Sequence, residues 1–148
     1  MHLMRLTAFT DYSLRVLIYV AAAPEGRATV GEIARAFRVS EHHLVKVVQR
    51  LGKAGFLENR RGRGGGLRLA RPAERINLAE VVRAMEGEDV PAECFARTGN
   101  RCALAGGCGL QRALREALAA FHAVLGRYTL ADLGASPAKL ALLLRRAA

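Results

Sequence analysis

The chain of 148 residues has no tryptophan, three tyrosines and five phenylalanines, so aromatics make up only 5% of it. A sheet-dominated core draws on aromatic and β-branched side chains. This chain is rich in Ala and Leu instead, and its 51% hydrophobic content suits packed helices. It also lacks an uninterrupted apolar run near the roughly eighteen residues that a membrane-spanning helix needs. The apolar segment 16–23 is short and follows charged Asp11 and Arg15, the wrong length and order for a secretion signal. The expectation is a cytoplasmic protein that uses this segment as a core helix. Cysteine is scarce as well. Cys94, Cys102 and Cys108 are the only three, and they fall within fifteen residues of one another. An odd, clustered set argues against a disulfide framework and for ligand or redox chemistry. No nucleophile–base pairing is recognisable, and the glycine-rich segment 62–66 lacks the Lys-Ser/Thr of a phosphate-binding loop, so an enzyme is not expected.

Positive charge is what the chain has in excess. Its formal net charge is +10, from 23 Lys and Arg against 13 Asp and Glu. Residues 1–75 carry 14 basic and 6 acidic residues, a net of +8, while residues 76–148 carry 9 and 7, a net of +2. A one-sided excess points to a local anionic partner, and nucleic acid is the natural one.

The basic half reads as three helices and a hairpin. Leu14, Leu17, Ile18 and Ala21 recur at helical spacing from about Thr10 to just before Pro24. Thr29 and Glu32 have the spacing of a capping box, opening a short helix to about Phe37. After a tight connection, Ser40 is placed to cap a third helix with Leu44, Val47, Val48 and Leu51 on one face. Segments 56–59 and 67–70 read as strands around the basic, glycine-rich stretch 60–66. This is the order of a winged helix-turn-helix, so the expected fold is mainly α with a small β-hairpin wing and, further on, a long dimerisation helix. A 3.6-residue period sets His42, Lys46, Gln49 and Lys53 opposite the apolar face of the third helix. Ser40, Glu41, His42 and Lys46, at its N-terminal end, are candidates for reading bases in the major groove. Arg60, Arg61 and Arg63 in the wing suit the negative potential of a narrow minor groove, on glycines that let the backbone approach closely.

In the second half, Asn77 and Glu80 repeat the capping spacing and open a fourth helix through about Met85. Residues 86–109 form a loop holding all three cysteines together with Pro91, Gly99, Gly106, Gly107 and Gly109; a loop that long calls for a functional explanation. A helix over 110–127 then carries Leu110, Leu114, Ala117, Leu118, Phe121 and Leu125 on one stripe, which is assigned mainly to pairing with a second subunit. A capped turn at 129–133 and a last helix after Pro137 complete the chain. The cysteine spacing, Cys94-x7-Cys102-x5-Cys108, supplies three soft thiolates, which select zinc, copper or iron–sulfur centres. Without a Cys-x2-Cys pair the zinc-finger reading is weak and a larger cluster fits better; a redox thiol switch is the rival.

Four stretches resemble a known family: LTAFTDYSLRVLIY at 6–19, Val39-Ser40 with His43 and Val45-Lys46, RGRGGGLRL at 61–69, and YTLADL at 128–133. They are similar to the iron–sulfur winged-helix repressors, the family that includes NsrR and IscR, and most of all to its nitric-oxide-sensing, NsrR-type members. The resemblance implies a homodimer with crossed long helices, one cluster per subunit and a palindromic operator. It implies that Cys94, Cys102 and Cys108 ligate the cluster and that Asp11, donated by the other subunit, completes the site. The first cysteine interval is longer than is usual in the family. Where IscR-like members carry a histidine shortly after the last cysteine, this chain has Gln111, which favours the NsrR type. The expected DNA-binding set is then Ser40, Glu41, His42, His43, Lys46, Gln49, Arg60, Arg61 and Arg63. The expected division is a DNA-binding domain at 1–75, and a second part at 76–148 made of a cluster-binding loop (86–109), a dimerisation helix (110–127) and a tail. The expected function is a repressor that senses nitric oxide through a 4Fe–4S cluster. The alternatives are an iron- or cluster-status regulator with a 2Fe–2S centre, or a cluster-free thiol-redox or protein-interaction module.

Overall fold

The computed structural model describes residues 6–87 and 92–147; Pro91 of the expected cysteine loop lies outside them. The elements follow in the order α1 (Ala8–Ala22), α2 (Val30–Phe37), α3 (Glu41–Lys53), β1 (Leu57–Arg60), β2 (Gly66–Leu69), α4 (Leu78–Glu86), α5 (Gly109–Leu125) and α6 (Pro137–Ala147). This is the expected helical fold with a hairpin wing.

The helix starts show how local chemistry sets the elements, because the first backbone N–H groups of a helix need acceptors. Thr7, ahead of the expected start, opens α1: its hydroxyl accepts from the Thr10 N–H at 3.2 Å, and Glu86 Oε1 accepts from the Thr7 N–H at 2.9 Å. The capping box of α2 is present, with Thr29 and Glu32 each accepting from the other's backbone N–H. Ser40 takes the N-cap position of α3, without a side-chain capping bond. Asn77 caps α4 by accepting from the N–H groups of Ala79 and Glu80, while Glu80 pairs with Arg71 rather than closing a box.

The core is built from Val16, Leu17 and Val20 of α1, Ile33 of α2, Leu44, Val47 and Leu51 of α3, and Leu57 and Leu67 of the hairpin. Each such side chain contributes about 1.5–3 kcal/mol by leaving water. The apolar face of α3 is buried as expected, which turns its polar face outward. The core runs past residue 75, since Ile76, Val81, Met85 and Leu130 join it. In the hairpin, β1 and β2 pair antiparallel with Leu57 opposite Leu69 and Arg60 opposite Gly66. Phe56 stands just before β1 because its N–H is taken by the Leu51 carbonyl at the end of α3.

The long helix α5 contrasts with this core, for none of its 17 residues is buried. Leu110 and Val124 are 65% and 46% exposed, and Leu142 and Leu143 of α6 are exposed too. Its main support is α4. Among the described residues, no helix is long and apolar enough to cross a membrane.

Candidate DNA-reading face and cysteine segment

With Leu44, Val47, Val48 and Leu51 buried, α3 presents Glu41, His42, Lys46 and Gln49 on its exposed side, and Ser40 is exposed just ahead of them. Arg61 and Arg63 are exposed at the wing tip, with no ion-pair partner among the described residues. Arg60 is different, because its guanidinium pairs with Glu58 at 2.8 Å. The tip turns on Gly62 and Gly64, whose φ values of 90° and 75° disfavour L side chains. A Cβ at Gly65 would collide with the carbonyls of Arg60 and Gly62.

His43, part of the expected DNA-binding set, is placed elsewhere. It sits at the flank of the buried face and packs edge-on against Tyr12 and Phe9 of α1, with ring centroids at 5.2 and 6.4 Å. Its Nε2 is buried without a hydrogen-bond partner among the described residues. Thus His43 joins the recognition helix to α1. A second joint lies at the end of α4, where the Ala84 carbonyl accepts from Nη2 and Nε of Arg50 on α3 at 3.0 and 3.3 Å.

The cysteine segment follows that same end of α4. Cys94 lies in a short helical turn, Glu93–Phe95, and Cys108 occupies the N-cap of α5. All three thiols are free and half-buried. Glu93 Oε1 accepts from the Arg101 N–H at 2.7 Å, which ties the Cys94 turn to the neighbour of Cys102. Gln111 Nε2 donates to the Cys94 carbonyl at 3.0 Å, which ties the same turn to the start of α5, beside Cys108. Arg115 lies over the Phe95 ring at 5.9 Å. Gln111 is therefore a structural clip, a role that only its contact reveals.

Asp11 is not brought to these cysteines. It is held by Arg15 one turn along α1, with Nη2 at 2.8 Å and Nε at 3.1 Å, both side chains about half exposed. Among the described residues, no three His, Cys, Asp or Glu side chains converge as a metal-binding group. The donors do fit an iron–sulfur group in kind, as three soft, free thiols on one stitched segment. The first turn of α5 also has no acidic residue, and Arg112 and Arg115 follow. That reverses the usual charge preference at a helix N-terminus, and an anionic thiolate-bound cluster would restore it.

Residues 6–136 match the Rrf2 family, described as iron-dependent transcriptional regulators. The chain belongs to the Rrf2 family. It is 49% identical to the HTH-type transcriptional regulator NsrR of Bacillus subtilis (strain 168) over 131 residues, 88% of this chain and 90% of that protein. It is also 49% identical to NsrR of Geobacillus kaustophilus (strain HTA426) over 143 residues, 96% and 97% of the two chains. The structure of T. potens IscR shares the fold, with a TM-score of 0.68 at 24% identity over 88% of this chain and 85% of that one. As an Rrf2 protein of the NsrR type, the chain is a transcriptional regulator with a winged-helix fold, a class that does not consist of enzymes.

Proposed function

We propose that this Rrf2 protein is a cytoplasmic repressor that binds operator DNA as a homodimer and senses nitric oxide through an iron–sulfur cluster. The observation that carries DNA binding is the pairing of an exposed polar face on α3 with free arginines at the wing tip. Ser40, Glu41, His42, Lys46 and Gln49 would meet base edges and phosphates in the major groove, while Arg61 and Arg63 would enter the minor groove. Homodimerisation is supported by α5, an amphipathic helix with nothing buried. Its stripe would cross that of a second copy.

Cys94, Cys102 and Cys108 would hold the cluster, of the 4Fe–4S type as the NsrR likeness implies, with Asp11 of the other subunit as the remaining ligand. Bound there, it supplies iron that nitric oxide can ligate. The chain's own residues carry the consequence. Cys94 and Cys102 come later in the chain than α4, whose last turn holds α1 through Glu86 and α3 through Ala84. To ligate a partner's cluster, Asp11 has to leave Arg15.

The test is anaerobic purification followed by absorbance, iron and sulfide analysis, on wild type and on serine variants of each cysteine. Wild type is expected to carry iron and sulfide, and each variant to lose most of both, since a neutral hydroxyl is a poor soft-metal ligand. Asp11→Ala should keep the cluster in a more labile form. Zinc without sulfide in the wild type would remove the cluster reading and leave DNA binding standing. Mixing an Asp11→Ala chain with a cysteine-free chain tests the crossing: one site then has its cysteines and the partner's aspartate, and its cluster should behave as wild type.

A further inference from the structure

A cavity of about 450 Å³ opens at the root of the wing, between the hairpin and the C-terminal end of α1. Val20 and Ala21 contribute apolar wall, and Glu58, Arg60, Arg68 and Arg71 contribute charge. It opens widely to solvent. Arg60 takes the carboxylate of Glu58 at 2.8 Å. Arg68, directly opposite Glu58 in the strand register, bonds instead to a neutral acceptor, the Glu25 carbonyl at 3.0 Å. Arg71 lies over the Phe56 ring, its Cζ 4.8 Å from the centroid, and reaches Glu80 only at 3.5 Å. The Nε atoms of both Arg68 and Arg71 are buried without an acceptor among the described residues.

A buried cationic donor with no acceptor is costly, and here the two arginines that carry one both line the same cavity. Guanidinium groups match the oxygens of a phosphate by geometry as well as by charge. Contact with the Phe56 ring holds one of them in place in advance. We propose that this wing-root pocket binds a phosphate group through Arg68 and Arg71, with Arg60 at its edge. Apart from Arg60, the site lies outside the expected DNA-binding set, for neither Arg68 nor Arg71 is on α3 or at the wing tip. The phosphate has two possible sources, a DNA backbone passing the wing or a soluble phosphorylated molecule.

The first experiment contains no DNA. Inorganic phosphate is titrated into the full chain against sodium chloride of equal ionic strength, and Tm is followed. A saturable rise specific to phosphate is expected, because a ligand that binds only the folded state stabilises it. Arg68→Gln and Arg71→Gln should each raise the half-saturating concentration about tenfold or more. Arg68→Lys keeps the charge while losing the planar fork, and it should also weaken binding, so the result does not depend on the glutamine variants folding. Phosphate that acts no differently from chloride on wild type overturns the proposal, as does an effect that all three variants retain.

The second experiment assigns the source, using a generic duplex at several salt concentrations. If DNA supplies the phosphate, Arg68→Gln lowers the salt slope by about 0.9, and inorganic phosphate competes with the duplex at constant ionic strength. If a soluble ligand supplies it, phosphate stabilises the protein without changing duplex affinity. Failure of the first experiment leaves the DNA-binding reading intact, because that reading rests on α3 and the wing tip.

Discussion

If two copies pair through α5 as proposed, replacing Leu114 and Leu118 with aspartate should give monomers while sparing the winged core. The two positions are four residues apart, so they share one face of α5, and both are half-buried in the single chain. Complete burial of a leucine contributes about 1.5–3 kcal/mol, so the part still to be gained in an interface is about 1 kcal/mol per side chain. A two-fold axis counts every residue twice. Four half-leucines then hold about 4 kcal/mol, a factor of about a thousand in the dimer dissociation constant. Four unpaired carboxylates forced into the same interface weaken it further. The assay is sedimentation velocity over a range of concentrations, with far-ultraviolet circular dichroism as the check on folding. Since the core cluster includes no residue of α5, the helical signal should persist in the monomer. A dimer that survives the double substitution at submicromolar concentration would refute the reasoning, and the stripe would then have to pack elsewhere.

The wing tip should register in salt dependence. Arg61→Gln with Arg63→Gln is expected to lower the slope of log affinity against log salt by about 1.8, whereas Arg60→Gln, already committed to Glu58, should lower it less; equal slopes in fluorescence anisotropy would reject the assignment. His122 on α5 has its pKa pushed below the usual value near 6.5, first by burial and then by the nearby Arg83 charge. The unfolded chain therefore takes up this proton more readily than the folded one, and the fold loses stability as pH falls below about 6.5. His122→Gln should flatten Tm against pH in that window, and an unchanged profile would mean that other groups dominate. Thr29→Ala removes the hydroxyl of the α2 capping box and should cost about 1 kcal/mol, read as a drop in Tm.

Much of the scaffold is legible in the sequence, because its signals are local. The spacing of Thr29 to Glu32 and the apolar period of Leu44, Val47, Val48 and Leu51 each involve residues within two helical turns. The order of the elements then suffices for a winged helix. The site was less legible, because its decisive contacts join residues distant in sequence. Nothing near His43 signals that its ring packs on Phe9 and Tyr12. Thr7 as the cap of α1 depends partly on Glu86, 79 residues away. The pocket lined by Arg68 and Arg71 takes part of its wall from Val20 and Ala21 of α1, far from them in sequence. Arg15 four residues after Asp11 is a local signal, since an i,i+4 acid–base pair is a standard helix contact, and it occupies the carboxylate in the lone chain.

The last turn of α4 takes part in two long-range contacts, with α1 and with α3, and precedes the cysteine segment in the chain. Glu86 accepts from the backbone N–H of Thr7 at 2.9 Å and lies 3.4 Å from its hydroxyl, while the adjacent Ala84 carbonyl accepts from Arg50 of α3. A displacement of this turn must therefore shift or release both the helix that carries Asp11 and α3, the helix proposed to read DNA. Glu86→Ala deletes the acceptor and a negative charge beside the N-terminus of α1, at a cost of about 1–2 kcal/mol on the scale of a lost cap. Glu86→Gln keeps an acceptor and should cost less. If the turn transmits the signal, Glu86→Ala speeds amide hydrogen exchange in the first turn of α1 and narrows the gap in DNA affinity between protein treated and untreated with nitric oxide. Glu86→Gln should fall between this variant and wild type on both readouts. Faster exchange with an unaltered response to nitric oxide would leave Glu86 as a cap for α1 and move the coupling to the contact of His43 with Tyr12.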